Sequence, residues 1–184
     1  MSRDERDRWN RKWLEVSDVP APARLLRSQQ GLLSSGVALD VACGLGQNSI
    51  WLARHNYAVL GVDLSEVALQ RARASALDRG LTGRVFFAQL DLDKWIPAAT
   101  SVDLICVFRF LDRKLIHRLK LALRPTGLLF FETRHQGALK THPNANPDYL
   151  LDVDELFRWF RTWQTLCVEI SEESAAIVAR KPRA

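Results

Sequence analysis

The chain is short of cysteine and has no long apolar run. Its three cysteines, Cys43, Cys106 and Cys167, are odd in number and far apart, and no CxxC pair occurs. That argues against a disulfide framework and against a zinc site, so no metal is expected. Cys106 and Cys167 lie in apolar stretches and read as small core residues. The longest apolar runs have only strand length, too short to span a membrane. The opening residues MSRDERDRWNRKW mix both charge signs and lack the apolar centre of a signal peptide, so a cytoplasmic location is expected. Neither charge sign dominates: the net charge is +5, spread along the chain apart from the short tail RKPRA. A small, scattered excess is what a solvated surface shows, and it argues against a nucleic-acid partner. Internal repeats and low-complexity tracts are also missing.

What is present has the size of one domain, 184 residues with 47% hydrophobic and 26% charged side chains. Residues 3–15 have a helical pattern with Trp9 and Trp13 on one face. A second short helix is expected over 23–33, then a turn at Ser34-Ser35-Gly36. Apolar runs at 37–39, 58–62, 85–88, 102–108 and 128–131 alternate with helical patterns. Ser65 is placed to cap one helix, and another runs over about 112–123. Arg124-Pro125-Thr126-Gly127 reads as a turn. Such alternation implies an α/β fold with a parallel sheet covered on both faces. The pattern then changes. Residues 135–149 form a polar loop long enough to be functional. A short helix follows near 153–160, and two runs at 163–169 and 175–179 suggest an antiparallel hairpin.

Residues 37–63, VALDVACGLGQNSIWLARHNYAVLGVD, combine a strand, a glycine loop, a helix, a second strand and a terminal acid. Gly44 and Gly46 let a backbone approach a ligand closely. Asp63, closing the second strand, can accept hydrogen bonds from ribose hydroxyls, and open parallel sheets bind ligands at this end of their strands. A dinucleotide fingerprint needs G-x-G-x-x-G, and the third glycine is missing: Ser49 stands there. The extra acid Asp40 would repel a pyrophosphate and attract an ammonium. S-adenosylmethionine has the ammonium, the ribose and the adenine, and no phosphate.

At this point the chain resembles the class I S-adenosylmethionine-dependent methyltransferases, closely over about 37–133 and in outline throughout. Asp40-Val41-Ala42-Cys43-Gly44-Leu45-Gly46 is similar to their first motif, with Ala42 replacing the usual first glycine. Asp63 matches the ribose acid, and Gln89-Leu90-Asp91 a third motif whose acid holds the adenine amino group. The resemblance implies a doubly wound, Rossmann-like, seven-stranded sheet, mostly parallel with an antiparallel C-terminal hairpin. It implies a single methyltransferase domain over 1–184: a helical lid or cap at 1–33, a cofactor core at 37–133, and a loop, helix and hairpin at 134–184. The implied cofactor is S-adenosyl-L-methionine, held by Asp40, Ala42, Cys43, Gly44, Gly46, Asn48, Asp63, Leu64, Asp91, Leu92 and Phe108. Leu92 is expected to pack on the adenine. Trp13 would act as a lid with Lys12 or Arg11 reaching the carboxylate, against the simpler reading of Trp9 and Trp13 as core. Cys43 to Ser49 and Phe108 to Arg113 are also similar to the tellurite-resistance methyltransferases.

Methyl transfer from a sulfonium mainly requires alignment of donor and acceptor. Soft nucleophiles need no general base, whereas oxygen or nitrogen acceptors can require one. Arg109 follows the fourth strand, where this fold brings acceptor and methyl together, and Arg134 and His135 follow the fifth. These three are the candidate catalytic residues: the arginines for an oxyanion and His135 as a base or anion contact. Asn146-Pro147-Asp148-Tyr149 resembles a base-methylation motif but follows the wrong strand, so it reads as a turn. The expected function is methyl transfer to a small-molecule acceptor, such as a thiol or chalcogen oxyanion. An RNA or protein methyltransferase and a catalytically silent cofactor-binding protein are the alternatives. Oligomeric state is not legible.

Overall fold

The apolar runs become seven strands, and the amphipathic stretches become six α-helices with short 3₁₀ turns, among the described residues. The computed structural model describes residues 3–183; Met1, Ser2 and Ala184, which the expected domain bounds and charged termini include, lie outside them. Two compact units are present, Met1–Ile96 and Pro97–Ala184.

The first unit runs α1 (Arg3–Glu15), α2 (Arg24–Ser28), β1 (Gly36–Val41), α3 (Gln47–Arg54), β2 (Tyr57–Asp63), α4 (Glu66–Asp78) and β3 (Val85–Gln89). β2 pairs in parallel with β1 on one side and β3 on the other. Two strand–helix–strand units therefore share β2, and both crossover loops open at the carboxyl ends of strands. Leu39, Val41, Val59 and Val62 of the strands and Leu52, Leu69 and Ala72 of the helices are all buried. Ser65 caps α4, its Oγ accepting from Ala68 N at 3.2 Å, as its position in the sequence suggests. Gly80 takes φ +66 just beyond the end of α4, the left-handed conformation that lets a helix stop. The helix expected over 23–33 is shorter: α2 ends at Ser28, and Gln30–Leu32 form a 3₁₀ turn.

The second unit contains β4 (Val102–Phe108), α5 (Arg113–Ala122), β5 (Leu123–Arg134), α6 (Val153–Phe160), β6 (Gln164–Ile170) and β7 (Ser174–Arg180). β5 is parallel to β4 and antiparallel to β7, which pairs antiparallel with β6 in the expected hairpin. The order is β4-β5-β7-β6. Residues 127–131 of β5 are all buried, which is why that segment reads as an unbroken apolar run. Arg124-Pro125-Thr126-Gly127, expected as a turn before the strand, belongs to β5. The register jumps from Val102↔Leu123 to Leu104↔Leu128, so the four residues form a bulge inside the strand. Thr126 takes φ +65 there. Lys181 Nζ caps α5 by donating to the carbonyls of Lys120 and Leu123 at 2.7 and 2.6 Å.

Residues 136–150 make an excursion closed at its base. His135 bridges Leu151 in parallel, with Leu151 N donating to Arg134 O at 2.9 Å. Arg113 fastens the far side. Its guanidinium meets Glu155 through two bonds of 2.9 Å and donates to the carbonyls of Asp148 at 2.8 Å and Leu150 at 3.0 Å. Asn146-Pro147-Asp148-Tyr149 is a turn as read: Asn146 Oδ1 accepts from Asp148 N at 2.9 Å and caps a 3₁₀ turn.

Candidate active site

The loop after β1 departs from ordinary backbone at three alternate residues. Ala42, Gly44 and Gly46 take φ +53, +54 and +73. Glycine adopts these values at no steric cost, but Ala42 stores strain. Asp63, at the end of β2, closes the loop. Its Oδ2 accepts from Gly44 N at 2.8 Å and its Oδ1 from Ser65 N at 2.9 Å. One acid thus fixes both the glycine loop and the start of α4. Burial pushes its pKa above 3.8, and the N–H groups of Ser65, Gly44 and Leu64 pull back. Each carboxylate oxygen can accept two hydrogen bonds, so acceptor capacity remains for ribose hydroxyls.

Asp40 is 1% exposed and accepts from Ser49 Oγ at 2.6 Å. Burial pushes its pKa up to about 7; the Ser49 hydroxyl and N–H oppose this, and nearby Asp63 adds to it. Ser49 occupies the place of the third glycine of a dinucleotide loop. The close approach between α3 and the strand comes instead from Gly61, where a Cβ would fall 2.9 Å from Ser49 Oγ. Gly46 is likewise a packing glycine: a Cβ there would stand 2.7 Å from the Phe87 ring. The open face of Gly44 meets Trp13 of α1, whose Cζ2 would be 2.8 Å from an added Cβ. Lys12 Nζ stands 4.3 Å from the Trp9 ring and 5.7 Å from that of Trp13.

In the second unit a cavity of about 490 Å³ is lined by Arg109, Glu132, Thr133, Arg134 and residues 171–174 of the hairpin turn. Arg109 follows β4 with φ +56, its N–H donating to Glu132 O at 2.8 Å. A bulky residue in the left-handed region is strained, and such strain gathers where a side chain must be aimed. His135 sits beside this cavity with both ring nitrogens engaged. Nδ1 accepts from Gly137 N at 2.9 Å, and Nε2 faces Ser171 O at 2.9 Å, which requires it to donate. Glu173 accepts from Thr141 Oγ1 at 2.5 Å, which holds its carboxyl below the usual range together with His142 and Arg134.

A buried acid pinning a glycine loop at the carboxyl ends of parallel strands suits an adenosine cofactor. Residues 38–127 match a family described as a methyltransferase domain. A ubiquinone biosynthesis O-methyltransferase of Pasteurella multocida is 28% identical over 181 residues, covering 81% of this chain and 74% of that protein. Ribosomal RNA small subunit methyltransferase C of Alcanivorax borkumensis is 32% identical over 120 residues, 59% of this chain and 36% of that protein. This chain thus spans about a third of the one relative and three quarters of the other. The crystal structure of TehB from Haemophilus influenzae superposes with a TM-score of 0.71 at 17% identity, over 96% of this chain and 67% of that one. Together these likenesses support a class I S-adenosylmethionine-dependent methyltransferase. Its fold is the seven-stranded, Rossmann-like mixed sheet, and S-adenosyl-L-methionine is the cofactor that family and fold imply.

Within this methyltransferase the structure separates the expected site residues into groups. Ala42, Cys43, Gly44, Gly46, Asp63 and Leu64 are brought together at one loop. Asp40 and Asn48 lie behind it. Asn48 Oδ1 accepts from Ala23 N at 2.8 Å, so it ties the segment before α2 to α3. Asp40 is 1% exposed, and burial raises its pKa to about 7. Asp91 follows β3 in a tight turn, its Oδ1 accepting from Asp93 N at 3.1 Å. Leu92, expected against an adenine, is 1% exposed and belongs to the core. Phe108, Arg109 and Arg134 lie in the second unit, the two arginines on the cavity and Phe108 at the end of β4. His135, expected as a base, is a loop cap. Sequence reasoning missed Glu132, Thr133 and the hairpin turn 171–174, because the β4–β5 pairing places Glu132 and Thr133 beside Arg109 and the β5–β7 register brings the turn to them. It also read Ser49 only as a missing glycine, although its hydroxyl is the partner of Asp40.

Proposed function

We propose that this methyltransferase transfers a methyl group from S-adenosylmethionine to a small polar acceptor, and that the acceptor is a soft nucleophile such as a thiol or a chalcogen oxyanion. The single observation behind the donor half is Asp63, buried and locked to Gly44 and Ser65 with lone pairs left for a ribose. Gly44 and its neighbours supply the close backbone surface, and Asp91 is assigned to the adenine edge. Trp13 and Lys12 are assigned to the methionine end. The sulfonium of the bound donor supplies an already activated methyl group. The protein's own task is to align the acceptor and exclude water.

The cavity by Arg109 and Arg134 is the proposed acceptor site. Two arginines face three glutamates there, Glu132, Glu172 and Glu173. That balance suits a small polar molecule and disfavours the polyanionic backbone of RNA, the alternative substrate that a ribosomal RNA methyltransferase relative brings to mind. His135 has no lone pair to receive a proton, and Glu173 is a weakened base. An acceptor that is nucleophilic without deprotonation by the protein fits these facts best.

Calorimetry with S-adenosylhomocysteine tests the donor half, with binding at micromolar concentrations as the expected result. Absence of binding at high micromolar ligand would remove it. Turnover of labelled donor with thiols, chalcogen oxyanions, small amines and phenols tests the acceptor half. Exclusive turnover of amines or phenols would overturn the soft-nucleophile assignment. Binding without turnover of any acceptor would favour a silent cofactor-binding protein.

A further inference from the structure

The carboxyl end of α1 is held by one side chain of α4. Arg71 Nη1 donates to the main-chain carbonyls of Trp13 at 2.7 Å and Val16 at 2.5 Å, and Nη2 to that of Ser17 at 3.0 Å. The Trp13 carbonyl is one that a helix end leaves without an intrahelical partner, Val16 and Ser17 follow the helix directly, and a cation there also meets the negative end of the helix dipole. A second tie lies one turn earlier: Asn10 Oδ1 accepts from Ser65 Oγ at 2.7 Å, at the very start of α4. Trp13 itself lies between the two ties and rests on Gly44.

The composition of α1 makes these ties matter. Its 13 residues, RDERDRWNRKWLE, are mostly charged, and of its three large apolar side chains Leu14 is 71% exposed. Hydrophobic burial therefore holds α1 only through Trp9 and Trp13. The seat of the Trp13 ring on the loop depends on the polar ties, and Arg71 makes three of them. Its planar fork can serve carbonyls lying in different directions at once, which an ammonium cannot.

We propose that Arg71 is a positioning residue for the donor site: it latches α1 so that Trp13 closes over the glycine loop, and donor exchange requires the latch to open. The proposal rests on that loop being the donor site. A ring packed on Gly44 covers the one stretch of loop backbone that no side chain shields. Opening α1 would expose the loop, and closing it would trap a ligand there. The latch sits on α4, away from the face of Gly44 itself, so it acts through Trp13.

Arg71→Ala and Arg71→Lys, with Arg79→Ala as control, test this. The Arg79 side chain donates to the carbonyl and the hydroxyl of Ser75 on its own helix. Hydrogen exchange of α1 in the ligand-free protein reports the latch, and stopped-flow release of S-adenosylhomocysteine reports its role. Arg71→Ala should speed exchange across α1 and raise the release rate roughly tenfold or more, since affinity changes fall mostly on dissociation. Arg71→Lys should fall between it and the wild type, and it serves alone if the alanine variant does not fold. Arg79→Ala should change neither. Unchanged exchange in α1 would overturn the latch, and faster exchange with an unchanged release rate would overturn its role at the donor site. If the wild type binds no S-adenosylhomocysteine, the donor-site reading falls, while the exchange data still decide whether Arg71 holds α1.

Discussion

Replacing Asp40 with asparagine should stabilise the protein increasingly as pH rises. The change is nearly isosteric, and the amide oxygen can still accept from the Ser49 hydroxyl that now bonds Asp40. Burial is the main reason that the carboxyl titrates at about 7 in place of 3.8. A group whose pKa is raised by folding keeps its proton better in the folded state. Its contribution is fully present below the ordinary carboxylate value and is lost as pH rises through about 7. At about 1.4 kcal/mol per pH unit, the whole interval is worth about 4 kcal/mol, and the part between pH 5 and pH 8 about 3 kcal/mol. Asparagine has no proton to lose there. Other groups titrate in both proteins and cancel in the difference; Asp63, also raised by burial, is among them. Denaturant unfolding at unit steps from pH 5 to 8 measures that difference. A variant-minus-wild-type stability that stays flat, or shrinks with pH, would refute the claim that Asp40 is held as a desolvated carboxyl. The same protein bears on cofactor binding. If the charge of Asp40 attracts an ammonium through the loop, the variant should bind S-adenosylhomocysteine less tightly than the wild type at pH 8, with a smaller gap at pH 6.

Asp63→Ala should do two things at once, because it frees the buried N–H groups of Gly44 and Ser65. Stability should fall by about 1–3 kcal/mol for each group left unsatisfied, and binding of S-adenosylhomocysteine should be lost even where melts show the protein folded. Unchanged affinity in a folded variant would place the ribose elsewhere. Ala42→Gly removes strain at φ +53; the gain of about 1–2 kcal/mol is reduced by about 0.4–1 kcal/mol through the greater freedom of the unfolded chain, and a drop in melting temperature would contradict it. Arg113→Ala should loosen residues 136–150, with faster proteolysis in that stretch. Arg113 is also the main reason that the Glu155 carboxyl lies below its ordinary 4.5. The wild type's advantage over this variant should therefore be present above that value and disappear as pH falls through the lowered one. An advantage unaffected by acid would show that packing, not the ion pair, fastens the loop.

The sequence by itself determined the strands, the glycine loop, the capping serine at 65 and the acid at 63. These features are set by period, turn chemistry and position along one stretch of chain, and local rules act there without help from distant residues. It also determined the cofactor class, through Asp63 and the missing third glycine at Ser49. Tertiary structure alone decided what the side chains of that loop do. Gly46 is a glycine because Phe87 of β3 needs the room, and Gly44 because Trp13 of α1 rests there; neither neighbour is visible from the loop's own sequence. The surroundings of His135 are likewise tertiary. Its position after the fifth strand suggested a base, but Gly137 and Ser171 converge on its two nitrogens. Ser171 is brought close only by the β5–β7 register, which no short-range pattern encodes. Asp40 shows the physical reason most directly. A carboxyl in sequence is an anion by default, and only the surrounding burial determines how much of its charge remains near neutral pH.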